Sequence, residues 1–349
     1  MPSHAASHVD FRWGLIGPGG IAHRFAEAVQ ALPGARLAAL WGRDPARSLA
    51  FAERWRLPGQ AAPQVCDSVD ALLADPAVDA VYIATPHSAH AGFALRALDA
   101  GKPVLCEKPL APTLALGAAL VQRAAQRRVF LMEALWTRML PVYAQVGAWL
   151  AAGEIGAVHA IQSSFCFAVP YDPASRLFDP TLGGGSLLDI GIYNLAMSRW
   201  VLQVERGACP DALDIQVSGV LAPSGVDQRV SACLRFPVGV TAQFVCAFDT
   251  VAGNSLHIHG SRGAICVPET FWEGRRAQLL RPRLPTLSVE APLRINGFEE
   301  EIEETQRCVR AGLLQSPAMP HAESLALARD LEFMRRQLGV AYPFDAVAP

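Results

Sequence analysis

The chain has no Cys-x-x-Cys pair and no cysteine beside a histidine at finger-like spacing, which argues against a structural zinc site, and no metal is implied. Its first ten residues, MPSHAASHVD, lack both a basic start and an apolar stretch, and no later segment offers about 18 uninterrupted apolar residues, so neither a leader nor a membrane span is expected. A charge field of either sign is missing too. Thirty basic residues stand against 32 acidic ones, for a formal net charge of −2, so neither nucleic acid nor an anionic membrane is an expected partner. Internal repeats and low-complexity tracts are absent. What is left is a partner that is a small neutral or modestly charged molecule. The eight cysteines sit mostly in apolar runs such as Phe244-Val245-Cys246-Ala247-Phe248, where a free thiol acts as a small hydrophobe, and the reducing cytoplasm is the expected compartment.

At 349 residues the chain exceeds what one hydrophobic core usually supports, so two domains are expected. From Arg12 to about Leu135, candidate strands at Trp13–Ile16, Leu37–Trp41, Val78–Ala84, Val104–Cys106 and Val129–Met132 alternate with helical segments such as Ala91–Ala100 and Leu114–Arg127. That alternation predicts an α/β domain over residues 1–135, a doubly wound parallel sheet whose ligand lies at the carboxyl ends of its strands. Beyond Pro141 the pattern turns to β-rich runs: Val158–Val169, Asp214–Leu221, Arg229–Phe236, Val240–Phe248 and Ser255–Val267. The third and fourth are joined by a hairpin turn at Pro237-Val238-Gly239. Two helices, about Phe298–Ala311 and His321–Leu338, follow, and the Pro-rich stretch Arg275–Pro292 is assigned to loop. Residues 136–349 are thus expected to form an α+β domain with a large, open, mostly antiparallel sheet.

The first strand runs into Gly17-Pro18-Gly19-Gly20-Ile21-Ala22 and then a helix. Gly-x-Gly-x-x-Ala at the first strand-to-helix turn lets the backbone approach a pyrophosphate and aim helix amides at it, a Rossmann dinucleotide site using Gly17, Gly19, Gly20 and Ile21. Where an acidic residue would hold the ribose hydroxyls of NAD, the second strand ends in Trp41-Gly42-Arg43-Asp44. A guanidinium at Arg43 can take a 2′-phosphate, so NADP is favoured, with NAD as the other option. Read as structure alone, Arg43 is a solvated loop residue and Asp44 a helix cap.

Ile83-Ala84-Thr85-Pro86-His87-Ser88-Ala89-His90 ends the fourth strand, so Thr85, Pro86 and His90 are expected to face the cofactor crevice. The fifth strand carries Val104-Leu105-Cys106 straight into Glu107-Lys108-Pro109, which should deliver both charges to the rim of the same crevice, with a turn at Pro109 that suits a cis peptide. An ammonium there can hydrogen-bond the nicotinamide ribose or a substrate hydroxyl and favour an oxyanion.

These motifs, Ala84-Thr85-Pro86, Ala100-Gly101-Lys102-Pro103-Val104-Leu105-Cys106-Glu107-Lys108-Pro109-Leu110 and the glycine loop, together resemble the Gfo/Idh/MocA oxidoreductase family. Leu182-Gly183-Gly184-Gly185-Ser186-Leu187-Leu188-Asp189-Ile190-Gly191-Ile192-Tyr193 extends the resemblance into the second half. Met132-Glu133-Ala134-Leu135-Trp136-Thr137-Arg138 and Arg176-Leu177-Phe178-Asp179-Pro180 look most like its branch of dimeric trans-dihydrodiol and NADP-dependent D-xylose dehydrogenases. The resemblance implies that Lys108 lies by the nicotinamide and that an acid/base residue sits on the Gly-rich helix. Many members carry a histidine four residues after the aspartate; Tyr193 stands there instead, which points to the tyrosine-using branch. Asp189 and Tyr193 are i and i+4 on one helix face, and a nearby ammonium such as Lys108 is expected to lower the phenol from its usual pKa near 10. Lys108, Tyr193 and Asp189 are therefore the expected catalytic set. Trp136, Arg138 and Phe167, with Asp189 and Tyr193, are expected at substrate, and Arg176, with Glu107 and Lys108, at cofactor. The implied reaction is reversible hydride transfer between NADP and a carbinol of a cyclic sugar or vicinal diol, in a homodimer or homotetramer. The competing expectations are a non-catalytic dinucleotide-binding sensor, and an enzyme that keeps its nicotinamide and acts on glycosides or sugar pairs.

Overall fold

The computed structural model describes residues 10–57, 59, 61–237 and 239–346; most of the MPSHAASHVD segment and the turn residue Val238 lie outside them. Its first half is β1 (Phe11–Ile16), α1 (Gly20–Ala31), β2 (Ala35–Trp41), α2 (Pro45–Arg54), β3 (Gln64–Val65), α3 (Val69–Ala74), β4 (Ala80–Ile83), α4 (His90–Asp99), β5 (Val104–Glu107), α5 (Leu114–Arg127) and β6 (Leu131–Ala134). The strands form one sheet in the order β3-β2-β1-β4-β5-β6, and every pairing is parallel. Parallel strands need helical crossovers that cover both faces, which is why β4, β5 and β6 are buried at every position and are apolar apart from Glu107 and Glu133. The order reverses between β1 and β4, so the loops after these two strands open a crevice between them.

The second half continues with α6 (Pro141–Ala151), β7 (Val158–Cys166), α7 (Ile192–Arg206), β8 (Asp214–Leu221), β9 (Asp227–Arg235), β10 (Thr241–Ala247), β11 (Leu256–Gly260), β12 (Ala264–Val267), β13 (Arg276–Leu280), β14 (Leu287–Glu290), α8 (Phe298–Arg310) and α9 (His321–Gln337). Its eight strands run β14-β13-β12-β11-β7-β10-β9-β8, antiparallel except where β7 meets β10. Two expectations are corrected here. The Arg275–Pro292 stretch is not loop: Arg276–Leu280 and Leu287–Glu290 pair antiparallel at the sheet edge, and Pro282 and Pro285 fall in the turn between them, where no ladder N–H is needed. The Ser255–Val267 run is a hairpin, breaking at Ser261-Arg262-Gly263. One apolar cluster runs from Trp13 and Phe25 in the first half through Trp136 to Phe165 and Phe271 in the second, so the two halves share a core.

Candidate active site

The nucleotide end is built by the loop after β1. Gly17 sits at φ +94, and a Cβ there would come within 2.9 Å of the Ala84 carbonyl oxygen, so only glycine lets the loop cross β4's end. Gly19 precedes α1 and gives it no side-chain cap, and Ile21 in its first turn is exposed; the free amides of Gly20 and Ile21 are a ready anion receptor. Thr85 and Pro86 face this loop across the crevice, and the buried Thr85 hydroxyl has no partner among the described residues. These features fit a dinucleotide pyrophosphate.

Beside the loop a cleft of about 510 Å³ separates it from α2, lined by Gly19, Gly20, His23, Arg47, Phe51 and Arg54. Arg43 is exposed at the end of β2 and does not line this cleft. Asp44 caps α2, accepting the Arg47 N–H at 3.1 Å. Arg47 and Arg54, seven residues apart on one face of α2, were not anticipated, although that two-turn spacing is visible in the sequence. Trp55 donates its indole N–H to His23 Nδ1 at 2.9 Å, which leaves the His23 ring proton on Nε2. Burial and Arg54 lower the His23 pKa.

At the other end of the crevice, β5 separates its two charges. Lys108 precedes a cis Lys108-Pro109 peptide bond and donates to the backbone carbonyl of Asp189 and, at 3.2 Å, to its Oδ1. Arg176 Nη1 reaches the same Oδ1 at 3.1 Å, and His87 Nε2 stands 3.8 Å from it. Burial alone would raise the Asp189 carboxyl, but Lys108 and Arg176 outweigh it and hold the group well below the usual carboxylate range. Burial, then Lys108, pushes the His87 imidazole down to about 3, and its Nδ1–H donates to Gly183 O at 2.8 Å. His87 was missed because the more regular His90 position drew the reading.

Tyr193 lies in the same pocket, with its ring centre 5.1 Å from Lys108 Nζ, and its hydroxyl accepts the Trp136 indole N–H at 3.1 Å. The expected lowering of this phenol is overturned. Burial and the Glu107 carboxyl raise its pKa well above 10, more than the Trp136 hydrogen bond lowers it. Asp189 also pairs with Lys108 rather than with Tyr193, because residues Leu187–Gly191 form a π-helical turn that breaks the regular i,i+4 stacking ahead of α7.

Three expected contacts fall elsewhere. Glu107 points inward, accepting from the Tyr82 hydroxyl and from Lys108 N–H at 3.2 Å, and burial raises its pKa. His90 is fully buried with its ring nitrogens 2.8 Å from Pro109 O and 2.9 Å from Thr85 O, so it braces two site turns and has no nitrogen left for a dinucleotide. Arg138 turns away into an ion pair with Glu323 at 3.0 Å and a bond to Ala196 O at 3.2 Å. Its long side chain satisfies a buried carboxylate deeper in the domain. Arg176, expected at the cofactor, stands half-exposed at the pocket mouth and pairs with Asp189.

The pocket wall is aromatic. Phe165 stacks on Trp272 with ring centres 3.3 Å apart and planes 3° apart, and lies 5.7 Å from the Tyr193 ring; Phe167, half-buried, is 6.3 Å from Phe165. Trp136 is buried opposite. Trp272 was not anticipated, since it follows a strand end next to the stretch read as loop; the Phe271-Trp272 pair was its one signal. A second overlooked signal is compositional: the chain has two lysines, Lys102 and Lys108. Lys102 is tied to the carbonyls of Asp75 and Val78 at 2.8 and 2.7 Å, which leaves Lys108 alone at the site.

Comparison with known proteins agrees with this fold. Residues 11–135 match the model of the oxidoreductase family with NAD-binding Rossmann fold, and residues 143–266 match the GFO/IDH/MocA C-terminal domain. Trans-1,2-dihydrobenzene-1,2-diol dehydrogenase from Danio rerio is 35% identical over 342 residues, covering 96% of this chain and 99% of that protein. The Homo sapiens protein of the same name is 31% identical over 344 residues, covering 96% and 98%. Among solved structures, the aldose-aldose oxidoreductase from Caulobacter crescentus complexed with glycerol superposes with a TM-score of 0.82 at 26% identity over 95% of this chain and 98% of that one. The 3-ketoreductase KijD10 from Actinomadura kijaniata, in complex with NADP and TDP-benzene, gives 0.80 at 27% identity over 94% and 97%. With both halves matched and the glycine loop and Glu107-Lys108-Pro109 placed at one crevice, the chain belongs to the Gfo/Idh/MocA family of oxidoreductases.

Proposed function

We propose that the protein is an NADP-preferring dehydrogenase that reversibly oxidises a carbinol of a cyclic sugar or vicinal diol. Residues 1–135 hold the dinucleotide, and residues 136–349 hold substrate and a second subunit. The observation that carries this reading is the convergence of the Lys108 ammonium, the Asp189 carboxylate and the Tyr193 phenol in one aromatic pocket, beside strand ends that also bear the glycine loop. Bound nicotinamide supplies the hydride acceptor. Lys108, fixed by Asp189, hydrogen-bonds the carbinol oxygen and stabilises the negative charge that grows on it. In oxidation the Tyr193 phenolate, stabilised by the Trp136 N–H, takes the hydroxyl proton and becomes the phenol, which returns that proton in the reverse direction. Because burial raises the phenol's pKa, Tyr193 is a proton donor at neutral pH; carbonyl reduction is then the easier direction there, and oxidation gains as pH rises. Trp136, Phe165 and Trp272 cover the apolar face of a ring and exclude water, and Arg176 closes the mouth.

NADP preference is supported by three exposed guanidinium groups near the loop, Arg43, Arg47 and Arg54, none with a carboxylate partner among the described residues. It is supported as well by Gly42, where a Cβ would lie 2.7 Å from Pro18 Cδ and Ser48 Oγ, leaving no room for the acid that would hold a ribose diol. The names of the relatives, a dihydrodiol dehydrogenase and sugar oxidoreductases, support the substrate class. A homodimer, or a pair of dimers, uses the outer face of the large sheet, where Gln162, Ser218, Ser231, Cys233 and Gln243 line a shallow concavity of about 590 Å³. Eight free thiols suit the reducing cytoplasm. No helix among the described residues is long and apolar enough to cross a membrane.

The test is a panel of aldoses, polyols and trans-dihydrodiols assayed for NADPH formation, with wild type, Tyr193→Phe and Arg43→Ala run against NADP and NAD. Tyr193→Phe is expected to lose about 10²-fold in oxidation rate, along with its rise toward alkaline pH. Silence of the wild type on every panel member would overturn the reading, and an unchanged NADP-to-NAD ratio in Arg43→Ala would remove that residue from it.

A further inference from the structure

One side chain of the dinucleotide half reaches the substrate wall. Arg24 lies four residues beyond Gly20, one turn along α1 from the amides that face the phosphates. Its guanidinium donates to both oxygens of Glu273, at 3.1 and 3.3 Å, and to Asn296 O at 2.6 Å. It also lies over the Trp136 ring at 4.8 Å and the Phe298 ring at 5.3 Å. Asn296 returns the contact, its Nδ2 donating to the Arg24 carbonyl at 2.9 Å and to Glu27 at 2.8 Å. Glu273 is the neighbour of Trp272, whose carbonyl accepts from Thr137 Oγ1 at 2.7 Å. Arg24 therefore grips both indoles of the wall: Trp136 across its face, and Trp272 through the next residue. Trp136 in turn holds the Tyr193 hydroxyl.

We propose that Arg24 is a positioning residue that couples the two half-sites, so that phosphates docking on the N-terminus of α1 set the Trp136–Trp272 wall and substrate binds best to the nucleotide-loaded protein. This rests on the dinucleotide reading above. The physical basis is rigidity: a hydrogen-bonded helix moves as a unit, and a forked guanidinium with a stacked indole transmits a sub-ångström shift with little slack. Coupling of this kind is reciprocal, so a ligand on the wall tightens nucleotide binding by the same factor.

The test uses full-length protein labelled with 5-fluorotryptophan, the seven resonances being assigned with Trp136→Phe and Trp272→Phe. The probes are adenosine 2′,5′-bisphosphate and 5′-AMP, which carry adenosine phosphates but no nicotinamide and so do not touch the indoles. In wild type, binding is expected to shift both the Trp136 and the Trp272 fluorine signals. Arg24→Ala is expected to bind the probes within about threefold by calorimetry, since the phosphate amides are untouched, yet show neither shift. Arg24→Lys keeps a cation near the indole but loses the fork to Glu273, and should recover the Trp136 response and not that of Trp272. Wild-type signals that stay fixed while a probe binds, or that move equally in Arg24→Ala, would overturn the coupling and leave the dinucleotide reading intact. Calorimetry showing that neither probe binds wild type would overturn both, and binding of 5′-AMP in preference to the bisphosphate would overturn the NADP preference alone.

Discussion

Two buried charge clusters in this molecule use the same residue types and do opposite things. In the second half, Arg138 and Arg199 meet Glu323 at 3.0 and 3.2 Å, and Arg199 meets Asp330 at 3.4 Å. Asp330 also pairs with Arg329 at 2.9 Å, which bridges to Asp211 at 2.8 Å, so three cations balance three carboxylates, and the side chains of Arg138, Arg199, Glu323 and Asp330 are at most 10% exposed. At the crevice, Lys108 and Arg176 share the single carboxylate of Asp189, and Arg176 is 56% exposed. A closed, balanced cluster has already spent its electrostatics on packing, whereas one with surplus positive charge and an open side is ready for a ligand that brings electron density. Asp227 marks a third case, with no cation paired to it among the described residues. Its carboxylate accepts from Ser186 Oγ at 2.9 Å and Leu187 N–H at 2.6 Å, at the entrance to the turn that carries Asp189. Burial pushes its pKa up to about 6, where Asp189, just as deep, is held low by its two cations.

The comparison breaks most visibly at Lys108. Lys108→Met is expected to cut kcat by about 10³-fold with a small change in the unfolding midpoint. The closed cluster should behave the other way round. Arg138→Leu leaves a buried acid short of a partner and should cost about 3 kcal/mol in urea unfolding, while the folded fraction keeps its kcat. A fall in kcat for folded Arg138→Leu would erase the distinction between the clusters. Asp227 sharpens it through pH. Its folded pKa lies above the unfolded value of 3.8, so the stability it contributes is fully present below that value and is lost as pH rises through about 6. Stability should therefore drop by about 2 kcal/mol on this account between about pH 4 and pH 7, and Asp227→Asn should flatten that slope in paired urea titrations.

The regular parts of the fold were legible because their signals are local. Runs such as Val104–Cys106 are apolar at every position since a parallel strand is covered on both sides, and Gly17 is required by its own backbone angle. The edge pair Arg276–Leu280 and Leu287–Glu290 was hidden because two prolines in its turn outweigh two short strands in any pattern count. At the site, Lys108, Asp189, Tyr193 and Trp136 did come together, while Arg138, from the same Trp136-Thr137-Arg138 stretch, turned the other way. Neighbours along a chain can face a pocket or a core, and short-range sequence does not say which.

The sequence by itself determined the two-part architecture, the phosphate loop and the residues from which a site would be drawn, since each depends on periodicity or on one residue's backbone freedom. Only the tertiary structure decided that Glu107 turns inward while Lys108 turns out, that Asp189 serves Lys108 across 81 residues of chain, that Tyr193 is a weak acid, and that Trp272 completes the wall. Each of these depends on which distant groups share a buried volume. In such a volume the loss of water makes every neighbour's charge count, and no local pattern records those neighbours.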